Sequence, residues 1–359
     1  MIHIYVRNKN INPSAYYRII QYLEGFEGQY RISSLNEDYL YNISLNHKNR
    51  FLRNIVKSVL LLEIYVKFPF LAINDIKNNN VVYIQREIFP HFCIEPMKSI
   101  LHKLYERNYV IWDFDDDIRL SGEISTFEYT ALLDYANTII VTNEMLKNKI
   151  ESKTNSKIYC LPTTDGTIYK KINRETIEKR LSSYDEFKIV WVGTSINLNE
   201  VQRVIPYIEK AGKITRNKYE LYVISGKEFT YESDYVKVVF VKWNRNNVAE
   251  TMKNMHVGIM PLTNNDFNRG KGGFKLIQYL SASLPVIGDG VGINEDIISE
   301  DVGILVSSPE EWTDAIVNLS TNRDRYCTYA NCAIEKWRME YNAECIGESI
   351  RNLLNGKEE

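Results

Sequence analysis

Two stretches combine residue types and spacings that could do chemistry. In "YVIWDFDDDIRL" (109–120) an apolar run ends in Asp113, Asp115, Asp116 and Asp117. Carboxylates at a strand end can hold a hard cation, act as a phosphoryl-accepting nucleophile, or border a cleft with no metal role. In "NRGKGGFKLIQYLSASLPVIGDGVGINEDII" (268–298), Arg269, Lys271 and Lys275 are interleaved with Gly270, Gly272 and Gly273, and a helical stripe of Phe274, Leu276, Ile277 and Leu280 follows. N–H groups at a helix start, close backbone approach at Gly272 and Gly273, and the charges of Lys271 and Lys275 together suit a diphosphate. A surface turn with solvated lysines would use the same letters, since clusters rather than single cations mark anion sites. Further on, Gly288, Gly290 and Gly292 invite a dinucleotide reading, but Ile293 stands where that fingerprint needs its third glycine.

The elements around these stretches are those of parallel sheets flanked by helices. Short apolar runs alternate with stretches of helical period. Strands are expected at 2–6, 81–85, 109–114, 138–142 and 157–161, and again at 187–193, 219–225, 236–241, 256–262, 284–288 and 303–306. Between the two series, "LPTTDGTIYKKINRETIEKR" carries Pro, Gly and charge, which places a linker near Lys170. The expected organisation is a first domain of residues 1–170, a second of 171–335, and C-terminal helices of about 336–359 packing back on the first. In doubly wound sheets ligands meet the carboxyl ends of the strands.

Composition removes several classes. The 359 residues include 44 Lys plus Arg against 46 Asp plus Glu, so the net charge of −2 gives no support to nucleic-acid binding. The five cysteines are scattered without a Cys-x-x-Cys pair, as in a reducing compartment, and no leader pattern follows the first residues; both point to the cytoplasm. The five histidines lack ligand spacing, so no zinc site is expected. The longest apolar run, Ser58 to Ile73, is broken by Glu63, Lys67 and Pro69 and is too short to span a bilayer. Residues 48–57 align Arg50, Arg53 and Lys57 on one helical face, which suits either anionic lipid at the inner membrane face or plain solvent.

"GFKLIQYLSASLPVI" (273–287) resembles the signature of retaining nucleotide-sugar glycosyltransferases of the GT-B fold, family four in particular, in which a Gly-rich loop precedes Leu-x-x-Glu-Ala-Met-Ala and Leu-Pro-Val-Val. Gln278 falls where the second Glu of that family's Glu pair stands and Gly270 where the first would be; "KGGFKLIQYL" is similar to a branch reading Lys-x-Gly-Phe-Lys-Leu-x-Gln-Tyr. "KIVWVGTSINLNEV" (188–201), "YVISG" (222–226) and "FVKWN" (240–244) are similar to strand ends of the second domain in these enzymes. "NPSAYYRIIQYL" (12–23), "VVYIQREI" (81–88), "TIIVTNEML" (138–146) and "IYCLPTTDG" (158–166) are similar, more loosely, to segments of the first.

The resemblance implies two doubly wound Rossmann-like domains facing each other across a cleft. The activity it implies is sugar transfer from a nucleotide diphosphate donor to a glycan, lipid-linked or protein hydroxyl, with retention, no metal and no cofactor beyond the donor. The expected catalytic residues are Lys271, Lys275, Arg86 and Asp116. Gly193, Thr194, Trp243, Arg269, Gly272, Gly273, Phe274 and Gln278 would hold the donor, with Gln278 on the ribose and Trp243 near the base. Arg18 and Asn143 would reach the site from the first domain, although an Arg at position 18 equally suits a surface ion pair.

On this reading the aspartates form an unmetalled strand end. Asp116 or Asp117 borders the acceptor and at least one of the four caps the next helix. The phosphatase motif needs Thr or Val where Asp117 stands, and a single-domain metal-dependent transferase leaves "KGGFK" unexplained. The expected setting is assembly of a cell-surface glycan or glycoconjugate. A catalytically silent nucleotide-sugar binder of the same fold stays open because both motif carboxylates are replaced, with a Rossmann-type dehydrogenase a more distant alternative.

Overall fold

The computed structural model describes residues 1–356. The chain forms two compact α/β units. One comprises 1–163, 270–272 and 344–359; the other comprises 164–269 and 273–343. The division falls between Thr163 and Thr164, ahead of Lys170, and the first unit gathers in a three-residue piece of the glycine loop as well as the C-terminal helix Ala343–Leu354 from Glu344 onward.

The first unit is built on a six-stranded parallel sheet of β1 (Ile2–Val6), β2 (Tyr30–Ser34), β3 (Val81–Gln85), β4 (Tyr109–Asp113), β5 (Thr138–Val141) and β6 (Lys157–Cys160), in the order β2-β1-β3-β4-β5-β6. The inner strands are unbroken apolar runs because helices cover both faces. Val82, Ile84, Val110, Trp112, Ile139 and Val141 enter one core with Phe68 and Leu104 from flanking helices. The strand β2 has no counterpart among the expected strands. It is an edge strand of mostly polar letters, "YRISS", which pairs with β1 alone.

In the second unit β7 (Lys188–Val192), β8 (Tyr219–Ser225), β9 (Val236–Lys242), β10 (Val257–Met260), β11 (Val286–Asp289) and β12 (Gly303–Val306) form another parallel sheet, ordered β12-β11-β10-β7-β8-β9. Strand order reverses at β1/β3 in the first sheet and at β10/β7 in the second. The crevices that doubly wound sheets offer to ligands open at these two reversals.

Candidate functional site

The switch point of the second unit is held open by one tyrosine. Tyr279, on the helix Phe274–Ser281, accepts a hydrogen bond from the Val192 N–H at 3.0 Å and donates to the Ile259 carbonyl at 3.3 Å, so its hydroxyl bridges β7 and β10. Gly258 makes room for the ring, because a Cβ there would lie 2.2 Å from it. The helix start is thereby fixed beside the end of β7. Gly273 caps that helix with φ +71° and no side chain, so it leaves the first-turn amides without a side-chain cap. A Cβ on Gly273 would meet Ile297 at 2.4 Å. The glycine is thus demanded by both conformation and space.

Lys275 leaves the first turn toward β7, with Nζ 5.0 Å from the Trp191 ring centroid. A Cβ on Gly193 would lie 3.2 Å from Lys275 Cε and 2.5 Å from Trp191. Gly193, Lys275 and the helix start are therefore one neighbourhood at the β7 terminus, as the sequence led us to expect. Phe274 is half-buried there, and Thr194 is exposed, accepting from the Asn197 amide at 3.0 Å. Trp243 is half-buried just past β9, its backbone N–H bonded to the Ser225 carbonyl at 2.9 Å; the buried Ser225 hydroxyl beside it has no hydrogen-bond partner among the described residues. Such an orphan at a strand's carboxyl end is a place for a ligand polar group.

Gln278 is buried and donates to Asp165 at 3.1 Å, while the other Asp165 oxygen accepts from Thr167. Arg269 is half-exposed and held by Asn264 at 2.8 Å and Asp266 at 3.3 Å. The loop before it is shaped by Glu200, which accepts from Thr263 and Asn268. Neither Tyr279 nor Glu200 was singled out in the sequence; their signals are ordinary helix letters.

Packing and conformation explain two of the three glycines of "GDGVG", Gly288 and Gly292. A Cβ on Gly288 would meet Ile298 at 2.8 Å, and Gly292 has φ +57° against the Arg269 backbone. Asp289 between them is saturated by Leu262 N, Arg203 and Trp312 Nε1. Nothing in this loop calls for a dinucleotide.

In the first unit the four aspartates have four different surroundings, with Arg86 shared by Asp115 and Asp116. Asp113 is buried and receives Arg18 through Nε and Nη2 and the Tyr83 hydroxyl at 2.8 Å. Arg18 also donates to the Leu161 carbonyl at 2.6 Å, so the ion pair considered for it at the surface lies wholly inside the unit. Burial acts to lower the Arg18 pKa, but the Asp113 carboxylate outweighs it and the net shift is upward. Asp115 accepts from Ser14 and from Arg86 Nη1 at 2.6 Å; burial opposes ionisation, yet Arg86 and Ser14 hold its carboxyl below the usual range.

Asp116 lies 3.7 Å from Arg86 and 3.4 Å from the Gly272 N–H. Surrounding protein and the Asp115 charge push it up to about 6, although its side chain is 47% exposed, so solvent moderates the effect. Asp117 accepts from Leu120 N at 2.9 Å and pairs with Lys149. None of the four caps a helix, contrary to expectation. Asp117 closes the turn at 117–121, and the next helix, Thr126–Tyr135, is capped by Ser125 because the chain needs that turn before it can re-enter a helix.

Arg86 stands just past β3, at the sheet's reversal, with φ +67° and its guanidinium also on Glu123 at 2.8 Å. That costly backbone is fixed by Glu128, whose two oxygens accept from Ile88 N and Phe89 N at 2.8 Å each. Burial pushes the Glu128 carboxyl up to about 7 against the pull of these bonds. A raised carboxyl stabilises the fold fully below the unfolded value of 4.5 and loses that contribution as pH rises to its folded value of about 7, so on this account the melting temperature should fall across that interval and level off above it. Glu128→Gln sets an amide NH₂ against one backbone N–H; it should cost about 1–3 kcal/mol and flatten that slope, read by thermal unfolding across pH.

Residues 270–272 complete this unit. Asn143 caps the helix Glu144–Ile150 through Leu146 N, and its Nδ2 lies 3.5 Å from the Lys271 carbonyl; a Cβ on Gly272 would meet Asp115 O at 2.7 Å. Lys271 and Gly272 thus fall in the first unit, while Gly273, Phe274 and Lys275 fall in the second. Among the described residues no group of three or more His, Cys, Asp or Glu side chains is arranged for a metal ion, and no helix is long and apolar enough to cross a membrane.

Residues 186–322 match the family described as Glycosyl transferases group 1. No curated protein matches the chain in sequence. Among solved structures it is similar to sucrose-phosphate synthase from Thermosynechococcus elongatus, with 13% identity over 99% of this chain and 98% of that one and a TM-score of 0.69. Anabaena HepE in complex with UDP and glucose is similar at 9% identity over 99% of both chains, with a TM-score of 0.63. The pneumococcal O-GlcNAc transferase GtfA in complex with UDP and GlcNAc is similar at 13% identity, with a TM-score of 0.55 over 80% of this chain; this chain spans only 60% of that longer protein.

Proposed function

Taking the protein as a glycosyltransferase of the GT-B fold whose residues 186–322 carry the group 1 domain, we propose that it moves a sugar from a nucleoside diphosphate donor to an acceptor hydroxyl, with retention and without a metal ion. The observation that supports this most is the fixed neighbourhood of Lys275, Gly193 and the glycine-capped helix start at the β7/β10 reversal. A cation and amide dipoles held there meet a diphosphate without reorganising, and they stabilise it more as charge grows on it. Uridine diphosphate is the first nucleotide to test, since HepE and GtfA were solved with it.

In the proposed step the bond from the anomeric carbon to the leaving phosphate oxygen breaks while the acceptor oxygen bonds to that carbon on the same face. The acceptor proton passes to a donor phosphate oxygen. Lys271 and Lys275 take up the developing charge, Arg86 and Asp116 line the acceptor side, Trp243 and Gln278 serve the nucleoside, and Gly193, Thr194, Arg269, Gly272, Gly273, Phe274, Arg18 and Asn143 shape the walls. We assign the acceptor to a growing cell-surface glycan or glycoconjugate, lipid-linked or protein-bound, handled in the cytoplasm with peripheral contact to the inner membrane face through residues 48–57.

The test is nucleotide-induced thermal stabilisation followed by sugar release from a donor panel, with and without EDTA. Stabilisation by a nucleoside diphosphate with turnover that persists in EDTA is the expected result. Activity abolished by EDTA and restored by Mn²⁺ would overturn the metal-free assignment. Binding without turnover over the whole panel would favour the silent binder, a reading kept alive by Gly270 and by the engagement of Gln278 with Asp165.

A further inference from the structure

The strand β3 reads "VVYIQ", an apolar run closed by a glutamine. Gln85 is 1% exposed, so each of its polar atoms needs a partner inside the protein or on a ligand. Its Nε2 donates to the Ser14 hydroxyl at 3.0 Å, and that hydroxyl gives its one proton to Asp115. This order fixes the amide, because Ser14 has no second proton and must accept from a nitrogen. The carbonyl oxygen Oε1 is therefore the free end, and it has no hydrogen-bond partner among the described residues. A buried carbonyl left unpaired destabilises the fold, a cost that an apolar side chain of the same length would not incur. The orphan stands at the carboxyl end of β3, at the reversal of the first sheet, where doubly wound folds take ligands.

The charges around the amide say what kind of ligand. Asp115, Glu123 and Asp116 converge on a single guanidinium, that of Arg86, at 2.6, 2.8 and 3.7 Å. The neighbouring cations are held elsewhere, Arg18 by Asp113, Arg7 by Glu87 and Lys149 by Asp117. Three carboxylates against one cation make this face negative and rich in acceptors. Such a face disfavours a phosphate or carboxylate and receives O–H donors. An acidic cluster alone would be a solvated edge; the orphaned amide, linked to it through Ser14, is what points to a ligand. Vicinal hydroxyls of a neutral sugar ring match both features, since two donors on adjacent carbons can serve an amide oxygen and a carboxylate together.

We propose that Gln85 is a specificity-determining residue of the first unit, its Oε1 accepting from one hydroxyl of a neutral sugar while Asp116 accepts from a neighbouring one, and that the surrounding carboxylates exclude anionic sugars. The inference rests on the transferase reading for the role of this sugar as acceptor, and it narrows that acceptor to a neutral glycan end. Ser14 is a positioning residue, because it turns the amide so that the oxygen and not the nitrogen is left for the ligand.

Saturation-transfer NMR on the full chain reads sugar binding without a donor or turnover. The methyl glycosides of glucose, galactose and mannose are titrated beside the corresponding uronic acids and 6-phosphates. At least one neutral glycoside should bind, with its anionic counterparts weaker by about tenfold or more, the scale of an unfavourable like-charge contact. Gln85→Met should weaken that glycoside by about five- to tenfold, the scale of one neutral hydrogen bond, and should leave the melting temperature unchanged or higher because no unpaired carbonyl remains. Asp116→Asn should bind the uronic acid several-fold more tightly than the parent does. Failure of every neutral glycoside to bind, equal binding of the anionic sugars, or parental binding by Gln85→Met would overturn the proposal. A lower melting temperature in Gln85→Met would overturn it too, by assigning the amide to structure alone. Stabilisation by uridine diphosphate should be the same in the parent and Gln85→Met. Its absence from both would remove the transferase reading and leave the sugar titration standing, so the two failures are separately visible.

Discussion

Lys275→Ala should weaken nucleoside diphosphate binding by about 1.5–3 kcal/mol, the scale of a charge-assisted hydrogen bond, and should lower turnover further still. The asymmetry follows from the chemistry. The departing diphosphate carries more charge in the transition state than in the bound donor, so a cation removed there costs more at the barrier than in the ground state. The fold should tolerate the change, because Leu276, Ile277 and Tyr279 carry the buried face of that helix and Lys275 is only half-buried. Gln278→Ala should behave differently, weakening the nucleotide with and without its sugar by similar factors, since a nucleoside contact does not change during transfer. Calorimetric titration with uridine diphosphate, followed by single-turnover kinetics, separates the two. A Lys275→Ala protein that binds and turns over as the parent does would remove the cradle from the mechanism.

The largest loss of stability should come from the other unit. Arg18→Met leaves Asp113 ionised or newly protonated among Tyr83 and apolar strands, and breaking a buried pair from one side costs about 3–5 kcal/mol. Asp113→Asn should cost less, since the amide still accepts one hydrogen bond from the guanidinium and fills the same space. The double change Arg18→Met/Asp113→Leu should recover part of the loss. It would not recover all of it, because the Leu161 carbonyl and the Tyr83 hydroxyl lose their partners. Urea unfolding of the three proteins decides. An Arg18→Met protein of parental stability, with weakened donor or acceptor binding, would move Arg18 from the interior of the unit to the site.

Local pattern was enough to locate most of the scaffold. Strands such as β1, β3, β8 and β12 are short apolar runs between helical stretches, and a run buried on both faces needs no partner to be recognised. The glycine loop and the helix start at Phe274 were legible for the same reason, since capping conformation and helical stripe are properties of a dozen adjacent residues. The strand β2 was not, because an edge strand with one neighbour can be polar, and "YRISS" has no period that separates it from a loop.

The division of labour in "DFDDD" could be settled only in three dimensions. Four identical carboxylates become a buried pair, a salt bridge, a carboxyl pushed up to about 6 and a turn cap because Arg18, Arg86, Gly272 and Lys149 arrive from distant parts of the chain. The glycine loop shows the same limit: its sequence reads as one cradle, while the contacts that assign 270–272 to one unit and 273–275 to the other depend on Asp115, Thr142 and Ile297. Residues 58–73 read as a long apolar run broken by Glu63, Lys67 and Pro69, a pattern that does not say which side of it is covered. Only packing against the sheet decides which side is covered, and here it leaves Leu62, Val66 and Phe70 uncovered, because a helix on the outer layer of a sheet has only one face to bury.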